Sequence, residues 1–122
     1  MAQINFENAK IADVSFSMAD HGCITFWVFI ETAEGSCSIG GYCIGHGYVG
    51  ANDFTGYGEG IEAMARIMNV VGVERWEDLK GQYCRVEPDE STGRILKIGN
   101  IIKEKWFDID EFFIDEFFKE EK

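Results

Sequence analysis

Apolar and polar positions alternate first over residues 10–18, KIADVSFSM. Ala12, Val14, Phe16 and Met18 alternate with Asp13, Ser15 and Ser17, the period-2 pattern of a half-buried strand. Asp20-His21-Gly22 signals a turn. Residues 23–30, CITFWVFI, are apolar on both faces. That suits a central strand with Ile24, Phe26, Val28 and Ile30 on one side and Trp27 and Phe29 on the other. A turn at Glu34-Gly35 leads into a third strand over 36–44, so the three segments predict an antiparallel meander. Residues 40–60 then carry eight glycines together with Tyr42, Tyr48, Phe54 and Tyr57. So many glycines do not support regular structure throughout, and long ordered loops often carry function.

The period changes after the glycine segment. Ile61, Met64, Ala65, Met68 and Val71 recur at helical spacing, and Gly72 is placed to end the helix at C′. Residues 74–81, ERWEDLKG, read as one further helical turn that tucks in Trp76 and Leu79. Strands over 82–87 and 94–102 follow, joined by the hairpin-type connection PDESTG. The expected fold is a β-rich α+β domain over residues 1–106. Three strands, a helix and two strands is the element order of an OB-type barrel. An OB-like antiparallel five-stranded barrel or curled sheet is therefore expected, with its main helix between strands three and four.

Residues 107–122 form an acidic aromatic tail containing a direct repeat, Ile109-Asp-Glu-Phe-Phe113 and Ile114-Asp-Glu-Phe-Phe118. As a helix, the tail places Ile109, Phe113 and Phe117 on one face and Ile114 and Phe118 on another. One reading is a docked helix that covers the sheet edge. The other is a partner-binding or dimerisation segment, with Phe112, Phe113, Phe117 and Phe118 as its contacts.

Composition limits the function classes. The chain has 122 residues, 46% of them hydrophobic and 14% aromatic, enough for one packed core and against disorder throughout. No apolar run reaches the roughly 18 residues of a membrane span, and MAQINFENAK lacks a signal-peptide pattern. The expected location is therefore cytoplasmic. The net charge of −11 disfavours a general polyanion-binding surface. The charge is uneven: residues 1–79 carry −8, residues 80–105 carry +2 and residues 106–122 carry −5.

That basic stretch supplies one candidate site. Arg85 shares a strand face with Tyr83 and Glu87, and Lys97 shares one with Gly99 on the next strand. If Arg85 and Lys97 lie on the same exposed sheet face, with Tyr83 and Trp27 or Phe29 nearby, cations interleave with aromatics there, the composition that stacks bases and follows a phosphate backbone. The glycine segment supplies a second. Gly45-His46-Gly47-Tyr48-Val49-Gly50 has the spacing G-x-G-x-x-G, but the helix starts about ten residues later than a dinucleotide fold requires. Its amides and tyrosines could instead hold a phosphate or a base.

Cys37, Cys43 and His46 lie close in sequence, and His21 and Cys23 can approach from the neighbouring hairpin. Four of these would make a tetrahedral zinc site. Neither knuckle spacing nor a nucleophile–base–orienter set is present, and strand cysteines are most often small buried hydrophobes. No metal, cofactor or catalysis is therefore assigned.

The segment 60–87, with Trp76-Glu-Asp-Leu79-Lys-Gly81 leading into Tyr83-Cys-Arg85-Val86, resembles phage OB-fold single-strand-binding-like proteins. In such proteins an acidic aromatic tail recruits partners and competes with DNA. Over nearly its whole length the chain resembles a family of small phage and prophage proteins of gut Firmicutes. Met18–Cys23, Gly40–Gly50, Val70–Gly81 and Ile98–Phe107 carry that likeness.

That whole-chain resemblance implies a phage origin; the expected function is a non-enzymatic phage accessory protein in the host cytoplasm that binds single-stranded nucleic acid or nucleotides, and a homo-oligomer is expected. The alternative expectation is a counter-defence protein: an acidic DNA mimic that inhibits a host defence protein, or a nucleotide-signal sponge. Without the tail the chain still carries −6, which argues against a broad cationic groove.

Overall fold

A computed structural model describes residues 6–120 apart from Glu90 and Gly93, with side chains described as far as Ile114. The long strands β1 (Glu7–Asp20) and β2 (Cys23–Thr32) form the centre of an antiparallel sheet. They are joined by a two-residue turn in which His21 (φ 52°) and Gly22 (φ 83°) are both left-handed, the geometry of a twisted hairpin. One edge of β2 pairs with β3 (Gly35–Gly40) over residues 27–32 and with β4 (Gly45–His46) at residues 23–24. β5 (Thr55–Gly56) extends the sheet beyond β4. On the other side, β1 pairs with β6 (Tyr83–Pro88), which pairs with β7 (Ile95–Asn100), and that with β8 (Trp106–Asp108). The sheet curls around one core covered by α1 (Gly58–Val71) and α2 (Ile109–Glu120).

The β-rich α+β class holds, and two expectations are corrected. Among the described residues eight strands stand where five were expected, and α1 follows the fifth of them rather than the third. The extra strands are short. β4 and β5 lie inside the glycine segment, and β8 lies at the start of the acidic tail. Two or three residues leave no periodicity to detect.

Local irregularities also redirect side chains. A bulge between Ile11 and Asp13 breaks the alternation in β1, so Ile11 is fully buried opposite Ile30 while Ala12 is displaced from the ladder. The expected alternation had put Ala12 on the face of Val14 and passed over Ile11. In α1 the buried stripe is Gly60, Ala63, Ile67 and Val70, with Met64, Met68 and Val71 flanking it; Ile61 and Ala65 face outward. The helical spacing predicts this helix, and its buried face lies one position before the predicted Ile61, Met64 and Met68 stripe. Gly72 ends α1 as expected: φ is 101°, and the Gly72 and Val73 amides both donate to the Met68 carbonyl. The 3-10 turn at Trp76–Leu79 buries Leu79 completely and sets Trp76 edge-on to Phe26 at 5.6 Å.

α2 has a local cause. Asp108 Oδ1 accepts the Glu111 amide at 2.9 Å, and Asp110 and Glu111 occupy the first turn, where carboxylates complement the helix dipole. Phe107 and Ile109 are buried, and Phe113 stacks on Tyr42 with ring centroids 4.0 Å apart. The start of the tail therefore belongs to the core. Phe113→Ala is expected to cost about 1–2 kcal/mol, because a half-buried ring and its stacking partner are lost. Urea unfolding measures it.

Candidate functional site

The sheet's outer face holds the four residues expected to form a basic aromatic surface. Residues paired directly across strands share a face. The pairs Lys10 with Tyr83, Asn8 with Arg85, Glu87 with Lys97, and Ser15 with Trp27 put all four opposite the core. Their charges are nonetheless occupied. Arg85 is only 8% exposed. Its Nε donates to the Asn100 carbonyl at 2.7 Å, its Nη2 to the Lys103 carbonyl at 2.8 Å, and its Nη1 lies 3.1 Å from Glu104. The guanidinium also lies over the rings of Trp106 and Phe6. Lys97 stands 4.0 Å from both Glu87 and Asp108. Trp27 stacks on Phe29 and packs over Gly41. Tyr83 is exposed, and the Lys10 ammonium lies 5.9 Å from its ring centre. The four share a face, but the structure does not gather Arg85 and Lys97 into a solvent-facing cationic groove.

The glycine segment is more ordered than its composition suggested. β3 ends where Gly40 (φ 140°) presses against the Phe26 carbonyl and Gly41 (φ 82°) turns the chain. The chain still follows the edge of β2. The Ile44 amide donates to the Ile24 carbonyl at 2.8 Å, and the Gly47 amide to the Gly22 carbonyl at 2.9 Å. Gly47 lies directly under the Phe54 ring, and Gly45 lies against β5 and Ile24. The Ile44 and Gly47 amides are thus committed to the sheet rather than offered to a phosphate. What the segment offers to solvent is apolar: Tyr48 is 60% exposed, Val49 86% and Phe54 58%. A turn closed by the Ala51 amide donating to the Tyr48 carbonyl presents Val49 and Gly50 at its tip.

Beside these rings the structure gathers Cys23, Cys43 and His46. One donor atom from each lies within 4.8 Å of the others. Cys23 and His46 face each other across the β2–β4 ladder. Cys43 projects outward between Tyr42 and Ile44, which both pack on the core. Its thiol donates to the Gly45 carbonyl at 3.1 Å, and its Sγ lies 3.7 Å from His46 Nε2. The other ring nitrogen, Nδ1, lies 2.6 Å from the Tyr57 hydroxyl. The contact with the Cys43 thiol pushes the Cys23 thiol up, and partial burial adds to it.

Cys37, expected beside Cys43, is instead half-buried opposite Ile30 and near Cys84. Burial pushes the Cys84 thiol up to about 12 and also raises that of Cys37, so both remain protonated. His21 lies in the β1–β2 turn and is not part of the donor group. The signal for Cys23 is its position just after the Asp20-His21-Gly22 turn, at the start of β2, where β4 pairs with it.

Of the tail contacts, Phe112 and Phe113 are half-buried against the core, while the side chains of Phe117 and Phe118 lie outside the described residues. No helix among the described residues is long and apolar enough to cross a membrane. Comparison of the chain with protein-family models, curated proteins and solved structures finds no match.

Proposed function

We propose that this chain is a non-enzymatic accessory protein of phage type that binds a nucleotide, or the exposed bases of a short single strand, on the rings of its glycine segment. The observation that carries this reading is the pair Tyr48 and Phe54, largely exposed beside β4 and β5, with Gly47 held by its bond to the Gly22 carbonyl. Rigid exposed rings stack on bases at little conformational cost, and each stack contributes about 1–3 kcal/mol. The order β3-β2-β1-β6-β7, with β1 between β2 and β6, supports an OB-like sheet left open between β3 and β7. Arg85 and Lys97 are held by internal partners, so base contact rather than phosphate tracking supplies the affinity.

The expected result is binding of mononucleotides and short oligonucleotides with a shallow salt dependence, below the slope of a single phosphate contact. Tyr48→Ala and Phe54→Ala each weaken it about 10-fold. Fluorescence titration at low and moderate salt measures both. The protein is used with its tail, because deleting from residue 107 would remove buried Phe107 and Ile109. No binding of either ligand at low salt overturns the reading.

One observation favours a second reading. With Arg85 and Lys97 paired internally, a chain of net charge −11 presents a predominantly acidic surface. That suits an acidic counter-defence inhibitor of a nucleic-acid-binding host protein. In this reading oligonucleotides do not bind, and they compete with the chain for its partner.

A further inference from the structure

We propose that Cys23, Cys43 and His46 bind a zinc ion tetrahedrally, through two thiolates and one imidazole, with the fourth position open to an external ligand. The inference rests on the side-chain group alone and is independent of ring binding at Tyr48 and Phe54.

Distance is the first argument. Zinc bonds of about 2.3 Å to sulfur and about 2.0–2.1 Å to nitrogen put neighbouring tetrahedral donors about 3.5–3.8 Å apart. Cys43 Sγ and His46 Nε2 already stand 3.7 Å apart, and all three donors fit within 4.8 Å. Small side-chain rotations close the remainder.

Orientation is the second argument. A zinc-bound imidazole is held by a hydrogen bond from its other nitrogen, which fixes the tautomer and the ring plane. His46 has that arrangement: Nε2 faces the sulfur of Cys43 and Nδ1 faces the Tyr57 hydroxyl at 2.6 Å. In the zinc-bound form, Nδ1–H donates to the Tyr57 oxygen.

The third argument is the frame. Cys23 and His46 are ladder partners, and the backbone on both sides of Cys43 is held by bonds to β2 and β5. The donors are therefore fixed by the sheet rather than carried on a free loop, so little ordering entropy opposes binding.

The donor set selects the ion. Two thiolates and an imidazole favour zinc over the hard cations magnesium and calcium, which take oxygen ligands. As each sulfur–zinc bond forms, its thiol proton passes to water, and no oxidant or reductant is needed. Cys43 gives up its bond to the Gly45 carbonyl in the exchange. Cys37 and Cys84, both turned toward the core, take no part.

The test loads the reduced full-length chain with zinc and, as a spectroscopic probe, with cobalt. The expected result is one metal per chain. The cobalt form shows a thiolate-to-metal charge-transfer band and the visible bands of a tetrahedral site. Cys23→Ser, Cys43→Ser and His46→Asn each weaken binding roughly 100-fold or more. Cys37→Ser leaves it unchanged. Tyr57→Phe keeps all three ligands and weakens binding about 10-fold, which separates loss of the site from loss of the fold. Three results overturn the proposal: no tetrahedral cobalt spectrum at one equivalent, a spectrum retained in Cys23→Ser, or a Cys23–Cys43 disulfide in the isolated protein.

Discussion

Replacing Arg85 by Met is expected to destabilise the fold by about 3 kcal/mol and to leave nucleotide binding at Tyr48 and Phe54 intact. Met keeps much of the apolar contact with the edge-to-face pair Phe6 and Trp106, so the main loss is polar. The Asn100 and Lys103 carbonyls lose their donors, and Glu104 loses its ion pair. Hydrogen bonds from a charged donor contribute about 1.5–3 kcal/mol, and partly buried acceptors left unpaired cost more than exposed ones. The cation–ring contacts add about 1–2 kcal/mol at a desolvated site.

Arg85→Lys is not a rescue, because one ammonium cannot reach two carbonyls in the planar fork that a guanidinium provides. The effect spreads through Asn100. Its Oδ1 accepts the Ile102 and Lys103 amides, and its Nδ2 donates to the Val70 carbonyl at the end of α1. Asn100→Ala should therefore couple to Arg85→Met in a double-mutant cycle by 0.5 kcal/mol or more, as roughly expected for residues of one network. Urea unfolding of the four proteins decides it. An Arg85→Met variant within about 0.5 kcal/mol of the parent would mean that the guanidinium is not a structural clamp.

Gly40→Ala is expected to cost about 3 kcal/mol and to abolish zinc binding together with it. Gly40 adopts φ 140°, and a methyl group there would collide with the Phe26 carbonyl and the Trp27 Cα. The collision is with backbone, so β3 must separate from β2 or the chain must leave its course along the edge of β2. Either movement displaces Cys43 and His46 from Cys23. Gly35 separates the two causes. Its φ is 143°, and a methyl group there meets nothing within 4 Å. Gly35→Ala therefore reports conformational strain alone, about 1 kcal/mol, and should keep the metal. Equal losses in the two variants would show that the close approach at Gly40 carries no weight.

Period-2 alternation puts Arg85 on one face with Tyr83 and Glu87; that Lys97 shares this face is decided by the β6–β7 register, which pairs it with Glu87. Alternation does not show what occupies the Arg85 guanidinium. Asn100 and Lys103 lie 15 and 18 residues downstream and meet it through the β6–β7 pairing and the turn after β7. The cysteine group behaves similarly. Proximity in sequence favoured Cys37 with Cys43 and His46. The break at Gly40 leaves Cys37 on the core side, and the pairing of β4 with the start of β2 brings in Cys23.

The sequence alone determined the central strands, the helix closed by Gly72, the buried Leu79 turn and the helical propensity of the acidic tail. Each depends on short-range periodicity, glycine conformation or capping, which a few neighbouring residues specify. Only the tertiary structure decided that the tail's first turn is core, that Arg85 and Lys97 are paired internally, and that donors from β2, β4 and the loop before β4 meet. Those outcomes rest on the register of β2 with β4 and of β6, β7 and β8, where a shift of one residue exchanges the two faces of a strand, and on the turn at Gly40 and Gly41.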